Sequence, residues 1–302
     1  MAAVTTHFAI PDPVPFVDVE LSRDNEQFID LHRIRLVSEN SVHLDSALAC
    51  VDTFLTTIST AAMSGVPRLE DQARELLQQF SEPRETRLGL ARKGFNGHGG
   101  ADDIGARIWR SFTTDLYALL QVGVLKYLEE LPLFIEGIDR DLTSDITTRI
   151  VFGPLADFTA EMLATYPQFS AGGHSTVTID RQVWDATACM WTTRRMTLPA
   201  ADGKPILLVP RSWVSKRLLM SSRRFHGTTL LSYVQEEQAS ISPSGKVVHP
   251  SKVSLRRRPD LRRGRRTNIE VTLRAHEAGA DLLRLFHLFV EEQLGASGDL
   301  AA

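Results

Sequence analysis

Four acidic residues form the first candidate site for chemistry. They are Glu136, Asp139, Asp141 and Asp145, and they follow an apolar run in the stretch LPLFIEGIDRDLTSDITT. Carboxylates at the end of a strand suit Mg²⁺, which takes one or two of them and completes its shell with water. If a helix begins at Asp141, then Asp141 and Asp145 share one face, because residues four apart on a helix are neighbours. The spacing predicts a Mg²⁺ site with Glu136, Asp141 and Asp145 as ligands.

A structural interpretation of the same residues stays open. Ser144 has a side chain that is typical of a helix N-cap, and Asp145 would then lie in the first turn. A negative charge there stabilises the positive end of the helix dipole. The metal interpretation requires the carboxylates to converge in a cleft, whereas the structural one requires only a helix N-terminus.

Two further residues complete a possible centre for phosphodiester cleavage. The PD-(D/E)xK arrangement places an acid on one strand and D/E-x-K on the next, and Asp202-Gly203-Lys204 has the form D-x-K. We predict Asp185 as a further metal ligand and Asp141, Asp145 and Lys204 as catalytic residues. The metal would activate water and stabilise charge on the phosphate. The alternative is a solvated hairpin turn, since Asp-Gly is a common turn sequence.

A glycine-rich loop, RKGFNGHGGADDIG, precedes a predicted helix. Unpaired backbone N–H groups at a helix N-terminus can hold a phosphate, so Gly97, Gly99 and Gly100 are candidates for an anion-binding loop. The spacing GxxGxGG is neither that of a P-loop nor that of a dinucleotide fingerprint. A purely structural loop is the alternative, because glycines also mark special backbone angles.

The basic residues are concentrated near the C-terminal end. Residues 204–266 carry fifteen Lys and Arg against three acids, a net charge of +12, which leaves −15 for the remainder. Within LRRRPDLRRGRR, seven arginines occupy twelve residues: Arg256, Arg257, Arg258, Arg262, Arg263, Arg265 and Arg266. Arginine suits the forked geometry of phosphate contacts, so we predict nucleic-acid binding by these seven. A solvated loop, or a patch that pairs with the acidic remainder, is the alternative.

Hydrophobic periodicity predicts a helix-rich α+β fold: a single domain with one mixed β-sheet. A core over 1–238 is followed by a basic irregular linker over 239–267 and a C-terminal helix over 268–302. Residues 131–138 are predicted as a buried strand that leads into the acidic cluster. The other predicted elements are a hairpin over 17–31, helices near 41–58, 68–80, 102–130, 144–166, 228–238 and 268–295, a kink at Gly153-Pro154, and strands at STVTIDRQVW, MTLP and KPILLVP.

The compartment is predicted from what the sequence lacks. No apolar run approaches the roughly 20 residues of a membrane helix, and the N-terminal residues do not have the pattern of a signal peptide. Cys50 and Cys189 are the only cysteines, and they form no disulfide framework. We therefore expect a cytoplasmic protein without a membrane partner.

Several motifs in a fixed order carry a family resemblance: FIDL, then RLGL before KGFNGHGG, then LFIEGIDRDLTSDITT, and finally KPILLVPRSWV. Over residues 14–217 they resemble a family of uncharacterised bacterial proteins of about this length, to which no activity is attached. The resemblance implies a bacterial cytoplasm and a link with defence or mobile elements. Family members have FIDP where this chain has FIDL, and fewer arginines near the end.

Together these features favour a bacterial nucleic-acid-acting protein, as a Mg²⁺-dependent nuclease of a defence or mobile-element system. The alternative is a non-enzymatic component that binds nucleic acid or a protein partner while its aspartates cap a helix. A small-molecule enzyme that uses the glycine loop for a nucleotide is a third hypothesis.

Overall fold

The chain forms two units, each assembled from two separate segments. The computed structural model describes residues 2–38, 41–80, 83–89 and 100–297. Unit 1 consists of Met1–Arg107 and Asp139–Leu218, and unit 2 of Ile108–Ile138 and Leu219–Ala302. Helices outnumber strands and the sheets are small, so the predicted helix-rich α+β class is confirmed.

Unit 1 holds most of the strands and the longest helix. Its helices are α1 (Val4–Phe8), α2 (Leu31–Leu36), α3 (Val42–Ser64), α4 (Pro67–Leu77), α8 (Arg140–Ile150) and α9 (Phe152–Thr165), and α5 (Gly100–Thr113) begins in it. Its strands are β1 (Phe28–Ile29), β2 (Ser175–Asp185), β3 (Met190–Ala201), β4 (Lys204–Pro205) and β5 (Val214–Ser215), with 3-10 turns at Arg84–Thr86, Pro167–Ser170 and Arg211–Trp213.

Unit 2 is mainly helical. Its elements are α6 (Tyr117–Gln121), a 3-10 turn at Leu128–Glu130, α7 (Leu131–Phe134), α10 (Ser222–Phe225), a π-helical turn at His226–Leu230, α11 (Leu231–Glu237), β6 (Ser240–Ile241), β7 (Val247–Val248), α12 (Lys252–Arg257), a 3-10 turn at Pro259–Leu261, α13 (Arg265–Glu277) and α14 (Leu282–Ser297).

The described strands form three separate antiparallel sheets instead of the single mixed sheet that the sequence predicts. β2, β3 and β4 make one sheet, β1 pairs with β5, and β6 pairs with β7. The predicted turn at Asp202-Gly203 joins β3 to β4, and both of its residues have positive φ, 51° and 70°. All three sheets are antiparallel. In two of them consecutive strands are joined by short turns, which allow only antiparallel pairing, whereas β1 pairs with the distant β5.

The helix α3 confirms the helical periodicity near 41–58. Its buried face includes Phe54, which packs edge-on against Trp184 of β2 at 4.9 Å between ring centroids. By length and composition alone, α3 is the one described helix that could also cross a membrane. In the structure 44% of its most apolar stretch is buried.

The break predicted at Gly153-Pro154 is confirmed. α8 ends at Ile150, Val151 has non-helical angles (φ −92°, ψ 15°), and α9 begins at Phe152. Pro154 lies in the first turn of α9, where a missing N–H donor costs little. The predicted helix over 144–166 is therefore two helices, and the first of them begins earlier than expected.

The predicted strand at residues 131–138 is wrong. Leu131–Phe134 is the short helix α7, which follows directly on a 3-10 turn. Leu133 and Ile135 are buried, as expected for an apolar run of this kind. Pro132 suits the first turn of a helix, and a short buried apolar run is compatible with either element.

Four other predicted segments differ in the structure. The hairpin over 17–31 is absent from the described residues, because β1 pairs with β5 and not with residues 17–21. The helix over 102–130 is divided into α5, α6 and a 3-10 turn, and the helix over 268–295 is divided at Gly279, which has a φ of +79°. The segment 239–267 is not irregular, since it contains β6, β7, α12 and a 3-10 turn.

Candidate nucleic-acid interface

Asp139 begins the helix that carries the acidic cluster. It is the N-cap of α8, and its carboxylate accepts a hydrogen bond from the Leu142 N–H at 3.1 Å. Ser144, predicted as the cap, lies inside α8 and is buried. Its hydroxyl oxygen accepts a hydrogen bond from the Ile29 N–H at 2.9 Å and thereby joins α8 to β1. An acidic or hydroxyl residue does cap this helix, as the structural interpretation requires, but the capping residue is Asp139 and not Ser144.

Asp141 and Asp145 lie one turn apart on α8, both partly buried, as the predicted spacing requires. Asp141 packs against the loop that contains Gly89. A Cβ at Gly89 would come within 3.1 Å of the Asp141 Oδ1, and Gly89 has a φ of +116°. Asp141 therefore lies against the backbone of a loop in unit 1.

The remaining predicted ligands lie on other elements. Glu136 is exposed in a turn of unit 2. Asp185 ends β2, and its Oδ1 accepts hydrogen bonds from the N–H groups of Thr187 and Ala188, both at 2.9 Å. Lys204 is exposed in β4. Among the described residues, no three His, Cys, Asp or Glu side chains form a group that could hold a metal ion.

Of the predicted anion-binding loop, Gly97 and Gly99 lie outside the described residues. Gly100 is the first residue of α5. The loop prediction is therefore not tested by the part of the chain that the structure describes.

The arginine run is built on ordered elements. Ser251 caps α12, accepting a hydrogen bond from the Ser254 N–H at 3.0 Å. Leu255 and Leu261, at 2% and 1% exposure, point into unit 2 on either side of the run's only proline. Burial of an aliphatic side chain contributes about 1.5–3 kcal/mol, so these two residues fix the backbone from which the arginines project.

Three of the seven arginines are engaged within unit 2. Arg258 makes a two-pronged contact with Asp260, at 3.2 and 2.6 Å. Arg266 pairs with Glu270 at 2.7 Å. Arg265 donates to the Ile135 carbonyl at 3.2 Å, and its burial lowers the pKa of its guanidinium.

The other four, Arg256, Arg257, Arg262 and Arg263, are exposed. Within the described residues none of them has an ion pair or a side-chain hydrogen bond. We call these four the arginine surface. Acids near them in sequence are already paired with other cations: Asp260 with Arg258, Glu237 with Arg274, and Glu270 with Arg266.

A π-helical turn, His226–Leu230, supports the arginine surface. His226 is buried, and its Nε2 donates to the carbonyl of Leu261 at 3.0 Å. Burial lowers the pKa of His226, the hydrogen bond to Leu261 opposes that shift, and the positive charges of Arg256 and Arg263 lower the pKa further. Burial and the two guanidinium charges therefore both disfavour protonation of this imidazole.

Lys252 adds a cation to the same place. Its ammonium donates to the carbonyls of Gly227 and Thr228, at 3.4 and 3.2 Å. Burial, and then the charge of Arg256, lowers its pKa. Neither His226 nor Lys252 belongs to the arginine run, and only the general excess of basic residues over 204–266 pointed towards them.

The arrangement can bind anions, since exposed guanidinium groups donate two parallel hydrogen bonds to a phosphate.

A family model described as "Domain of unknown function (DUF8370)" matches residues 10–221. Those residues include the whole of 14–217, which carries the motifs of the family resemblance, and they exclude the arginine surface. No curated protein and no solved structure matches the chain.

Proposed function

The chain belongs to the DUF8370 family, whose function is unknown, and for this member we propose that the arginine surface binds the phosphate backbone of nucleic acid. The observation that supports this most is the set of four exposed arginines without an acidic partner among the described residues. A polyanion would supply the countercharge that these guanidinium groups lack among the described residues. Each phosphate that the protein neutralises also releases condensed counterions, which favours binding.

The ordered backbone under these arginines supports the same proposal. Their side chains project from α12 and from the segment between a 3-10 turn and α13. Binding therefore orders side chains but not a long stretch of main chain, which lowers the entropy cost of association. Contacts to phosphates alone position a protein without reading bases, so we expect little dependence on sequence.

The test is a charge-removing variant in which Arg256, Arg257, Arg262 and Arg263 are all replaced by Ser. Arg265 and Arg266 are kept because they are engaged within unit 2. Binding to duplex DNA, single-stranded DNA and RNA is measured by fluorescence anisotropy across a salt series. We expect steep salt dependence for the wild type, and a slope of log K against log[salt] that is smaller by about 3–4 in the variant.

The matched control removes four positive charges from exposed positions in unit 1, at Arg68, Arg195, Lys216 and Arg217. This variant changes the net charge by the same amount but keeps the arginine surface. It should therefore retain most of the wild-type affinity and slope. Equal loss in both variants would mean that overall charge, and not the arginine surface, causes binding. A wild type that binds no nucleic acid even at low salt would refute the proposal.

Cleavage by Mg²⁺ stays a separate expectation. In the same reactions, two results together would support it. The rate of Mg²⁺-dependent cleavage per bound complex should be unchanged by the arginine replacements, and Asp145→Asn should abolish cleavage. Uncut substrate at every Mg²⁺ concentration would leave the protein as a binding component.

A further inference from the structure

The π-helical turn brings together two stretches of basic chain that are apart in sequence. The hydrogen bond from His226 to the Leu261 carbonyl holds the 3-10 turn Pro259–Leu261 in place. This 3-10 turn lies between Arg256 on one side and Arg263 on the other along the chain. The buried imidazole therefore fixes where both arginines emerge.

Gly227 provides the room for Arg256. A Cβ at this position would lie 3.3 Å from the Arg256 Nη2, which is closer than most side-chain carbons approach a neighbour. The guanidinium thus rests on the turn itself. Lys252 donates to the carbonyls of Gly227 and Thr228 in the same turn. Both cations are fixed against one short stretch of backbone.

Three cations around the turn lack a countercharge among the described residues: Arg256, Arg263 and Lys252. Arg256 and Arg263 make no ion pair there, and Lys252 contacts only carbonyl oxygens. Arg257 and Arg262 are exposed too, but it is the charges of Arg256 and Arg263 that lower the pKa of His226. Arg256 and Lys252 therefore lie against the π-helical turn itself, and Arg263 follows the 3-10 turn that His226 holds in place.

We propose that one phosphate group binds between Arg256 and Arg263 above the turn His226–Leu230, with Lys252 beside it, as the anchor of the arginine surface. This inference rests on the proposed function, in which the phosphate is a phosphodiester of nucleic acid. The recognising chemistry is a tetrahedral oxyanion that accepts from two guanidinium forks. Free phosphate has the same chemistry, so the experiment separates the two sources.

The buried imidazole of His226 serves as the reporter. Full-length protein labelled with ¹⁵N in its histidines is titrated with pH by NMR, alone, with inorganic phosphate, and with a short single-stranded oligonucleotide. A phosphate above the turn offsets the charges of Arg256 and Arg263, so both ligands should raise the pKa of His226. The other histidines provide internal references.

Single variants locate the anchor. Arg256→Gln and Arg263→Gln should each raise the ligand-free pKa of His226, remove most of the ligand-induced change, and weaken oligonucleotide binding about tenfold or more. Arg257→Gln is the matched control, with the same charge loss on α12. It should leave the ligand-free pKa of His226 unchanged and weaken binding less. The retained histidine spectrum of each variant shows that it is folded.

The outcomes separate the anchor from the proposed function. An oligonucleotide that binds without changing His226 would overturn the anchor and keep the function. A response of His226 to phosphate without any binding of oligonucleotide would keep the anchor as a site for free phosphate and overturn the function. Equal effects of the three single variants on binding would also overturn the anchor.

Discussion

At the scale of single residues, the hydroxyl of Ser144 has a structural role that the sequence did not suggest. It accepts a hydrogen bond from the buried Ile29 N–H. Ser144→Ala leaves that donor without its partner, and an unsatisfied buried donor costs about 1–3 kcal/mol. We expect a clearly lower free energy of unfolding, measured by urea denaturation.

The control for this change is Ser59→Ala on α3, whose hydroxyl donates to the nearby Thr56 carbonyl at 3.2 Å. Its effect should be within about 0.5 kcal/mol, as is usual for surface substitutions. If Ser144→Ala proves equally neutral, the contact between α8 and β1 does not depend on this hydrogen bond.

The acidic cluster shows how far residue types alone could lead. The sequence suggested both a metal site and a helix cap, and the structure assigns the cap to Asp139. Asp and Ser are nearly equal in their preference for the N-cap, so the pattern could not distinguish Asp139 from Ser144. The hydroxyl of Ser144 accepts its hydrogen bond from Ile29, a strand residue more than a hundred positions away, and the local sequence does not reveal that contact.

At the scale of elements, Gly105 permits the close approach of α5 to the end of α4. A Cβ at Gly105 would lie 2.3 Å from the Leu77 carbonyl oxygen, which is a backbone atom that cannot easily move. Gly105→Ala should therefore destabilise unit 1 by about 1–3 kcal/mol, as overpacking typically does. The measurement is the shift of the denaturation midpoint.

Gly295 in α14 provides the opposite case, because nothing lies within 4 Å of a Cβ placed there. Gly295→Ala should leave stability unchanged or raise it by up to about 1 kcal/mol, since alanine favours helices. The same substitution thus has opposite expected signs at two helical glycines. Stabilisation by Gly105→Ala would contradict the packing of α5 on α4.

Elements with a regular local pattern could be predicted, whereas short buried elements and the breaks within long helices could not. The periodicity of α3 and the alternation in β2 are local properties, and the structure confirms both. Residues 131–138 are too short and too uniformly apolar to show a period, so their state is decided by packing within unit 2. There the Asn268 side chain donates to the Leu133 carbonyl at 2.7 Å, a contact invisible from the local sequence.

At the scale of the whole molecule, neither unit is a continuous stretch of chain. The segment Ile108–Ile138 belongs to unit 2, where α6 and α7 contact α13, and α7 also contacts α10. A chain truncated after Leu218 keeps that segment but loses all of these partners. We expect residues 108–138 to become sensitive to protease and to exchange their amide hydrogens quickly, while 139–218 stays protected.

A chain truncated after Ser297 is the control and should match the full-length protein in both measurements. Full protection of residues 108–138 in the shorter fragment would contradict the division into two units.

The pairing of β1 with β5 has a consequence for biosynthesis. Phe28 lies opposite Ser215, about 190 residues later in the chain. At a translation rate of about 5–20 residues per second, β1 leaves the ribosome roughly 10–40 s before its partner is made. During that interval the apolar side chains of Phe28 and Ile29 have no β5 to pair with, so the nascent chain offers chaperones a binding site that the finished protein conceals.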